Sequence, residues 1–411
     1  MKNYIYENQD GMVRMNKIRI PDALMFTLYA LPLFLSPLST AATGISLGLL
    51  LLGYFLSGHW RNWRVLRTRP WTLPYALLIA WTFLGLVWTS DMYSGMKVAE
   101  AAGYGIFAFM GATLPWQERW VKLLIRLFLA GIALNALLAF MMTWKTLPWM
   151  NTDNLPYTGF SDHIFLSLVL IQALLWLLWD FQKSWAIPKW LAVLLGLLFF
   201  VQLIITPARS GQLAFIVLMP VAIWMLYCGR WKYWALAALC IGLGALAISP
   251  VVQSRVELGI SNVEQFIAHQ NSTTTSLGIR LATMEAGWRM FVEHPLLGVG
   301  TGNFALEMRH LQNENKVTKT PQIINTSAAN SYLSEAAVLG LPGLIFLLWM
   351  MLAATLESWK SRKYPQGWFV LMYLMVFWFG GIYNTLNWGY DNAIGLALVI
   401  AIPMIPFRSR V

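Results

Sequence analysis

Long apolar runs alternate with short polar connections along almost the whole chain. An α-helix needs about 20 apolar residues to cross the hydrocarbon layer of a bilayer. Runs of this kind lie near residues 22–40, 42–58, 71–89, 97–115, 121–143, 163–179, 187–205, 211–228, 232–249, 333–356, 366–386 and 392–407. The pattern predicts an all-α polytopic membrane protein with about twelve transmembrane helices.

The alternation is interrupted once, between the ninth and tenth runs, where residues 250–332 are largely polar. A membrane protein that keeps one large soluble segment usually places its binding surface there. We therefore predict three parts. Residues 1–249 hold transmembrane helices 1–9, residues 250–332 form a helical loop that carries active-site residues, and residues 333–411 hold helices 10–12.

Composition and charge support a membrane location. Hydrophobic residues make up 58% of the chain and charged residues 11%, which excludes an ordinary soluble enzyme. Lys and Arg concentrate in the two terminal segments and in alternate loops, so both termini are predicted to be cytoplasmic and residues 250–332 to lie on the other side. The net charge of +11 then reflects this asymmetry and contact with anionic membrane lipids, and it indicates no nucleic-acid partner.

The polar loop has a helical pattern of its own. It is uneven in residues 253–269 and clearer in 278–294, where Ser276 is the predicted N-cap and Pro295 ends the helix. A glycine-rich turn without a preceding strand then leads into a third helix at 303–314, so no nucleotide-binding loop is indicated. In the second helix, apolar residues recur at spacings of three and four: Leu281, Met284, Trp288 and Phe291. Such an amphipathic helix beside a bilayer predicts a lid over the helix bundle.

Two arginines stand where a cation is costly without an anionic partner. Arg209 lies in a short turn between two apolar runs, with Pro207 and Gly211, and Arg280 lies in the first turn of helix 278–294. One interpretation is an interfacial or solvated cation. The other is a site for phosphate oxygens, because a guanidinium binds phosphate bidentately and a helix N-terminus attracts anions.

Three blocks of sequence carry a family resemblance. They are Ala208-Arg209-Ser210; Ser276-Leu277-Gly278-Ile279-Arg280 with His294-Pro295-Leu296-Leu297-Gly298-Val299-Gly300; and Asn330-Ser331-Tyr332-Leu333 through Gly340-Leu341-Pro342-Gly343. In their order and spacing, over residues 200–345, the chain resembles the O-antigen ligase and polymerase superfamily of bacterial envelopes.

The resemblance implies a GT-C-like, inverting glycosyltransferase of the bacterial inner membrane that needs no metal and no cofactor and has its active site on the periplasmic face. The implied donor is O-antigen linked to undecaprenyl pyrophosphate. The acceptor is the lipid A-core oligosaccharide in the ligases, the growing O-antigen in the polymerases, and a protein serine or threonine in related oligosaccharyltransferases. The chain length and the lack of an added C-terminal domain are most similar to a ligase of lipopolysaccharide biosynthesis.

The resemblance also gives the arginines a role. The pyrophosphate leaving group gains charge as the glycosidic bond breaks, and fixed cations aimed at that charge stabilise the transition state. Arg209 and Arg280 are therefore predicted to bind the pyrophosphate.

One position departs from the family pattern. The third block normally begins with histidine eleven residues before a glycine, and counting back from Gly340 gives Ala329. The family histidine is thought to act as the general base on the acceptor hydroxyl, a role that alanine cannot fill. The chain is then an inactivated variant, a natural member whose base lies elsewhere, or a divergent non-catalytic protein. The first interpretation is favoured because Asn330 and Tyr332 keep the rest of the motif intact.

Further polar residues are candidates for supporting roles in this site. His163, His310 and Glu335 are possible substitute bases, although an interfacial pair with Asp162, a solvated surface position and an ion pair are the respective alternatives. Asp391 is a candidate for contacts with the acceptor. Lys97 is a candidate for adding charge near the pyrophosphate.

Two other functions stay open beside the ligase. An O-antigen polymerase differs in its acceptor. A lipid-linked glycan flippase or other transporter belongs to a different class and predicts charged residues along several mid-span positions. Charges here concentrate at span ends and in the loop, which favours a fixed site at the membrane interface.

Overall fold

The computed structural model describes residues 21–144, 158–206, 209–227, 229–248, 276–320 and 327–404, together with residues 253, 257 and 261. Within these residues the secondary structure is helical, without a strand. The loop helix predicted at 253–269, the turn residues Pro207 and Ala208, and both ends of the chain lie largely outside the described residues.

The α-helices are α1 (Asp22–Leu35), α2 (Thr40–Ser57), α3 (Thr72–Leu84), α4 (Met92–Gly103), α5 (Ile106–Ala112), α6 (Glu118–Thr143), α7 (His163–Lys183), α8 (Lys189–Ile205), α9 (Arg209–Leu226), α10 (Arg230–Ile248), α11 (Ser276–Glu293), α12 (Phe304–Asn313), α13 (Ser331–Lys360), α14 (Pro365–Gly380) and α15 (Tyr390–Ile400). Two 3-10 helices, His59–Thr68 and Gly85–Trp88, flank α3.

The predicted all-α membrane protein is confirmed, while the count of twelve spans stays a prediction. In the described residues, α2, α6, α7 and α13 are long and apolar enough to cross a membrane, and a fifth span results if 59–68 and 72–88 count as one, bent by 107°. Shorter apolar helices, α1, α8, α9, α14 and α15 among them, pack around these.

Several of the predicted spans have different boundaries in the structure, among them the runs at 97–115 and 366–386. The run at 97–115 is divided at Tyr104 and Gly105 into α4 and α5. The run at 366–386 ends as helix at Gly380, and the next residues turn back over the start of α13. The backbone N–H of Ser331 donates to the carbonyl of Gly381 at 2.7 Å, so this turn satisfies a donor at the N-terminus of α13 that the helix itself leaves unpaired.

Helix α7 occupies the centre of the bundle. Trp176 is fully buried and stacks on Trp179 with ring centroids 4.8 Å apart, while its edge meets Phe369 of α14 at 5.3 Å. Because neighbours surround α7 on most of its faces, its position is fixed, and the side chains at its first turn are held with it.

Helix α13 breaks at Gly340, where φ is 67° and ψ is −165°. A Cβ at this position would lie 2.3 Å from the backbone oxygen of Leu296, so glycine is required both by conformation and by space. Val299 and Gly300 donate their N–H groups to the carbonyls of Ala337 and Val338, each at 3.0 Å. The glycine-rich turn thereby pairs with backbone groups that the break removes from the helix, which a helix interior requires.

The same turn is also fastened to the helices near α4. Thr301 donates its hydroxyl to the carbonyl of Thr82 at 2.7 Å, and the side-chain oxygen of Asn303 accepts the N–H groups of Ser90 and Asp91, each at 2.9 Å. Residues 298–303 are therefore a fixed wall of the bundle. The prediction of a lid does not describe this part of the loop.

Helix α11 forms close to its predicted bounds but packs by an unexpected face. The predicted apolar stripe is not buried, and Trp288 in it is 60% exposed. The buried face consists instead of small residues and one methionine: Ala282, Thr283, Ala286, Gly287 and Met290. Small side chains allow α11 to approach Ala328 and the first turn of α13 closely.

At the other end of α13, Arg69 forms an ion pair with Glu357, with Nε 2.7 Å from Oε1. The Arg69 side chain is only 7% exposed. Its two terminal nitrogens donate to the carbonyls of Ile400, Ala401 and Ile402 at 2.9–3.2 Å. Arg69 therefore ties the C-terminal ends of α13 and α15 together and neutralises the negative end of the α15 dipole.

Candidate functional site

A cavity of about 500 Å³ opens where the N-terminal ends of α7, α11 and α13 meet. The polar residues that line it come from four segments: Asp162, Arg280, Ser327, Asn384, Thr385 and Asn392. Ala329 also lines it. The structure thus brings together two positions that the sequence singled out, Arg280 and Ala329, across a gap of almost fifty residues.

Arg280 projects from the first turn of α11 and is partly buried. Its Nη1 donates to the carbonyl of Tyr383 at 2.6 Å. The hydroxyl of Tyr383 in turn donates to the carbonyl of Ser210 at 3.0 Å. Burial raises the pKa of Tyr383 above its ordinary value although the Arg280 charge acts to lower it, so the phenol stays a neutral donor. Tyr383 therefore connects Arg280 to the first turn of α9.

Arg209 is the first residue of α9, directly before Ser210. Tyr383 therefore contacts the residue next to Arg209 as well as Arg280 itself. The side chain of Arg209 lies outside the described residues, so its role at the pyrophosphate stays a prediction.

The backbone at Ala329 is unusual, with a φ of +50°. Alanine rarely adopts this left-handed conformation, whereas asparagine, aspartate and histidine adopt it several times more often. Asn330 follows as the N-cap of α13: its side-chain oxygen accepts the N–H of Leu333 at 2.9 Å, and its Nδ2 donates to the carbonyl of Ile382 at 2.6 Å. Asn330 thus fixes the helix start and the turn at 381–389 together.

Tyr332 faces away from the cavity into an apolar groove of about 550 Å³ between α9, α13 and α14. Its hydroxyl donates to the carbonyl of Trp378 at 2.7 Å, and its ring stacks on Trp378 with centroids 5.9 Å apart. The other residues that line the groove are Leu218, Leu348, Met375, Phe379 and Ile382. Ile382 is therefore shared between the groove and the turn that borders the cavity.

Glu335 lies one turn into α13 and is 2% exposed. Its Oε1 accepts a hydrogen bond from the side-chain amide of Asn387 and another from Nε1 of Trp388 at 3.1 Å. Glu335 lines a separate, smaller cavity with these two residues rather than the one that holds Arg280. Through these two hydrogen bonds, Glu335 holds the turn at 387–388 in place.

Asp162 caps α7 at the rim of the cavity. Its Oδ2 accepts the N–H groups of Ile164 and Phe165 at 2.9 and 3.2 Å, and its Oδ1 lies 3.2 Å from Nδ1 of His163. Burial acts to raise the pKa of Asp162, but the hydrogen bonds from His163 and the two amides outweigh it and lower the pKa. Asp391, in the first turn of α15, lies near this carboxylate without lining the cavity.

The remaining candidates lie elsewhere. The side chain of His310 is 61% exposed and lies between Glu307 and Glu314, with nitrogen–oxygen distances of 3.8 and 3.6 Å. The Nζ of Lys97 lies 4.3 Å from the centre of the Tyr93 ring. Neither residue lines the cavity of Arg280, so a direct role for them there stays a prediction without support from the geometry.

The comparison with known families decides what kind of protein carries this cavity. Residues 193–348 match the family model described as O-antigen ligase. This part of the chain is similar to the O-antigen ligase family. The match covers α8 through the break in α13, and so it includes Arg209, Arg280 and Ala329. No curated protein gives a significant match to the chain.

The match supports the superfamily that the sequence motifs indicated, and together with the apolar helices it supports a membrane protein with a general role in lipid-linked glycan transfer. The family match ends before the turn at 381–389 and begins after Asp162. The two parts of the cavity wall that come from the start of α7 and from the turn at 381–389 therefore lie outside the matched region.

Sequence reasoning missed Tyr383, Asn384 and Thr385 as parts of the site. They follow an apolar run without an intervening charge, so they were counted in the predicted span 366–386. The pair Gly380-Gly381 was the available signal, because glycine is common where a helix ends. Asp162 was noticed only as the neighbour of His163; its position before an apolar helix is an N-cap signal.

One group of potential metal ligands lies outside the cavity. In the part of the chain that the structure describes, Glu293, His294 and Glu307 place ligand atoms within 4.8 Å of one another. Glu293 is also paired with Arg289 at 2.7 Å and with Lys316 at 3.5 Å. The group is best described as an ion-paired surface cluster.

Proposed function

We propose that this protein is an O-antigen ligase that transfers glycan from undecaprenyl pyrophosphate to a hydroxyl of the lipid A-core oligosaccharide, with inversion at the anomeric carbon. The cavity would hold the reacting groups, and the pyrophosphate would be neutralised by Arg280 and Arg209 rather than by a metal. The site would face the periplasm from the bacterial inner membrane, with both termini in the cytoplasm.

The observation that carries the proposal is that an apolar groove and a cationic cavity are both lined by residues of one short turn. Ile382 lines the groove, Asn384 lines the cavity, and Tyr383 between them accepts the hydrogen bond from Arg280. A polyprenyl pyrophosphate has the same arrangement, with a long apolar tail directly joined to a dianionic or trianionic head. A tail in the groove would bring its head to Arg280 across one residue of this turn.

The chemistry of the leaving group supports the same assignment. As the bond between the anomeric carbon and the pyrophosphate oxygen breaks, negative charge grows on the pyrophosphate. A guanidinium held by Tyr383 and the positive end of the α11 dipole need no reorganisation to stabilise that charge. Asn384, Thr385 and Asn392 offer hydrogen-bonding groups for sugar hydroxyls in the same cavity.

The acceptor distinguishes the ligase from its alternatives. Purified protein in liposomes would be given undecaprenyl-pyrophosphate-linked glycan, with core-lipid A present or absent. Glycan attached to core-lipid A supports the ligase. Longer lipid-linked glycan without core-lipid A identifies a polymerase, and movement of the donor between leaflets without transfer identifies a flippase.

The same assay with Ala329→His tests the inactivated-variant hypothesis, which stays a prediction. Transfer by the histidine variant alone would support inactivation by Ala329. Transfer by the chain with Ala329 would contradict it, and the proton acceptor would then be another residue of the cavity.

A further inference from the structure

We propose that Asp162 is the general base of this protein, in the place that a histidine at position 329 fills in the family pattern. This inference rests on the proposed function, because it names the proton acceptor for that transfer. It follows from three observations: which titratable groups line the cavity, how the Asp162 carboxylate is held, and what occupies the other carboxylates nearby.

The cavity offers few proton acceptors. Of the described residues that line it, Asp162 is the one carboxylate, Arg280 is the one cation, and no histidine is present. The hydroxyls of Ser327 and Thr385 hydrogen-bond to each other at 3.0 Å, and an aliphatic hydroxyl is far too weak a base near neutral pH. Asp162 shares the cavity with Ala329, so a hydroxyl bound there has Asp162 as its acidic neighbour.

The Asp162 carboxylate is rigid yet accessible. Its Oδ2 is held by the N–H groups of Ile164 and Phe165, while Oδ1 faces Nδ1 of His163 at 3.2 Å. The side chain remains 58% exposed, so a substrate can reach it. The lowered pKa of this group keeps it ionised at neutral pH, which is the state that accepts a proton, although it also makes the carboxylate a weaker base, so the proposal rests on its position and access.

The nearby carboxylates are placed differently. Glu335 belongs to another cavity and accepts hydrogen bonds from Asn387 and Trp388. Asp391 does not line the cavity, and its Oδ1 is buried without a hydrogen-bond partner among the described residues. Asp162 is therefore the carboxylate with both an open side and a fixed orientation.

The proposed step balances as follows. The acceptor hydroxyl oxygen forms a bond with the anomeric carbon of the donor, and its proton goes to Oδ1 of Asp162. The bond between that carbon and the pyrophosphate oxygen breaks, and its electron pair leaves with undecaprenyl pyrophosphate, whose charge Arg280 stabilises. His163 is a positioning residue: through its contact with Oδ1 it orients the carboxylate, and it can receive the proton afterwards.

Because Asp162 is also the N-cap of α7, a substitution can remove its carboxylate base while it keeps the cap. Asparagine and aspartate are equally good N-caps, so Asp162→Asn keeps the start of α7. We expect its kcat to fall by about 10²–10⁴-fold, with the KM for donor and the melting temperature nearly unchanged. Asp91→Asn is the matched control, since Asp91 caps α4 in the same way, with the N–H of Ser94 at 3.0 Å, and does not line the cavity.

Rescue provides the readout that a purely structural role would not give. In the double variant Asp162→Asn with Ala329→His, a histidine base returns to a backbone conformation that suits it, and transfer should recover. The acid limb of kcat/KM should move from the low pH of the Asp162 carboxylate to about pH 6.5. The titratable and charged groups around Asp162 are His163 on its own helix, Arg280 on α11 and Asp391 on α15, and all three are unchanged in this pair.

Each outcome is decisive. Transfer by the unsubstituted chain and by Asp162→Asn at equal rates would overturn the base while leaving the proposed function intact. Transfer only by variants that carry Ala329→His would also overturn it. No transfer by the unsubstituted chain or by Ala329→His would refute the proposed function itself, and the base with it.

Discussion

Arg69 and Arg280 lie at opposite ends of the bundle and illustrate two uses of a half-buried or buried cation. Arg69 is enclosed, with a carboxylate at 2.7 Å and three carbonyls around its terminal nitrogens. Arg280 donates to the carbonyl of Tyr383 and borders an open cavity of about 500 Å³. The first arrangement joins two helices, whereas the second leaves room for an anion from outside the protein.

The comparison shows that an arginine at a span end is not by itself a sign of function. What separates the two is the space beside the guanidinium. A saturated cation contributes to folding, and its removal exposes a buried carboxylate to an apolar environment. A cation beside a cavity contributes to binding and catalysis, and its removal should leave the fold largely intact.

Arg69→Ala should have the largest effect on stability. It leaves Glu357 unpaired, with only 15% of its side chain exposed, and removes the donor to the last carbonyls of α15. Breaking such a pair costs about 3–5 kcal/mol of the free energy of unfolding. Thermal unfolding in detergent measures the loss, and transfer activity per folded molecule should be preserved. A stable but inactive Arg69→Ala protein would contradict the assignment of Arg69 to folding rather than to catalysis.

Arg280→Ala should show the reverse pattern. We expect the rate of glycan transfer to fall by about 10²–10³-fold, because one charge-stabilising group is lost, with little change in melting temperature. Arg289→Ala is the matched control on the same helix, since Arg289 is exposed and pairs with Glu293 at 2.7 Å. Equal activity of the two variants would contradict the role of Arg280.

Gly340→Ala tests the wall of the cavity rather than its chemistry. The added Cβ meets the backbone oxygen of Leu296, and the extended conformation with positive φ costs alanine about 1–3 kcal/mol by itself. Stability and transfer activity should fall together, because the break positions the first turn of α13. Gly343→Ala should be tolerated better, because Gly343 does not have a positive φ, although its added Cβ would also crowd Cβ of Leu339 at 2.4 Å. The opposite ranking would contradict this account.

Asn330→Ala should lower the free energy of unfolding by about 1 kcal/mol, because an N-cap is lost. Asn330→Ser keeps a cap but loses the donor to the carbonyl of Ile382. If the turn at 381–389 must be held in place for catalysis, both variants should lose transfer activity, while only the alanine variant loses the cap energy. Full activity of Asn330→Ser would show that α13 alone suffices.

The sequence predicted those features of the fold that depend on residues close together in the chain, such as where a helix begins and ends. The bounds of α11 follow from a polar start at Ser276 and from Pro295, and the structure has the helix at Ser276–Glu293. The break in α13 was not predicted, because a proline and glycines in an apolar run do not show which backbone will pair with the freed carbonyls. That pairing with Val299 and Gly300 joins parts of the chain far apart in sequence.

The candidate site was predicted only in part for a similar reason. Arg280 and position 329 stand out from short motifs, but the turn at 381–389 enters the site through tertiary contacts with Ser331 and Arg280. The buried face of α11 was also missed, since small residues carry little weight in a hydrophobic pattern. Close packing against Ala328 selected that face over the larger apolar one.

The outward face of α11 and the residues that follow it would set the height of the site relative to the hydrocarbon of a bilayer. Trp288, Val292, Leu296 and Leu297 are each more than half exposed on one continuous segment. An exposed apolar segment of this composition would lie at the level of the lipid headgroups, where tryptophan is favoured. Arg280 on the same helix would then sit at the depth at which a membrane-embedded pyrophosphate already lies, so that the donor reaches it by lateral diffusion alone. Donor affinity should accordingly be higher in nanodiscs than in detergent. Equal affinities would contradict a role of this apolar segment in placing the site at the membrane interface.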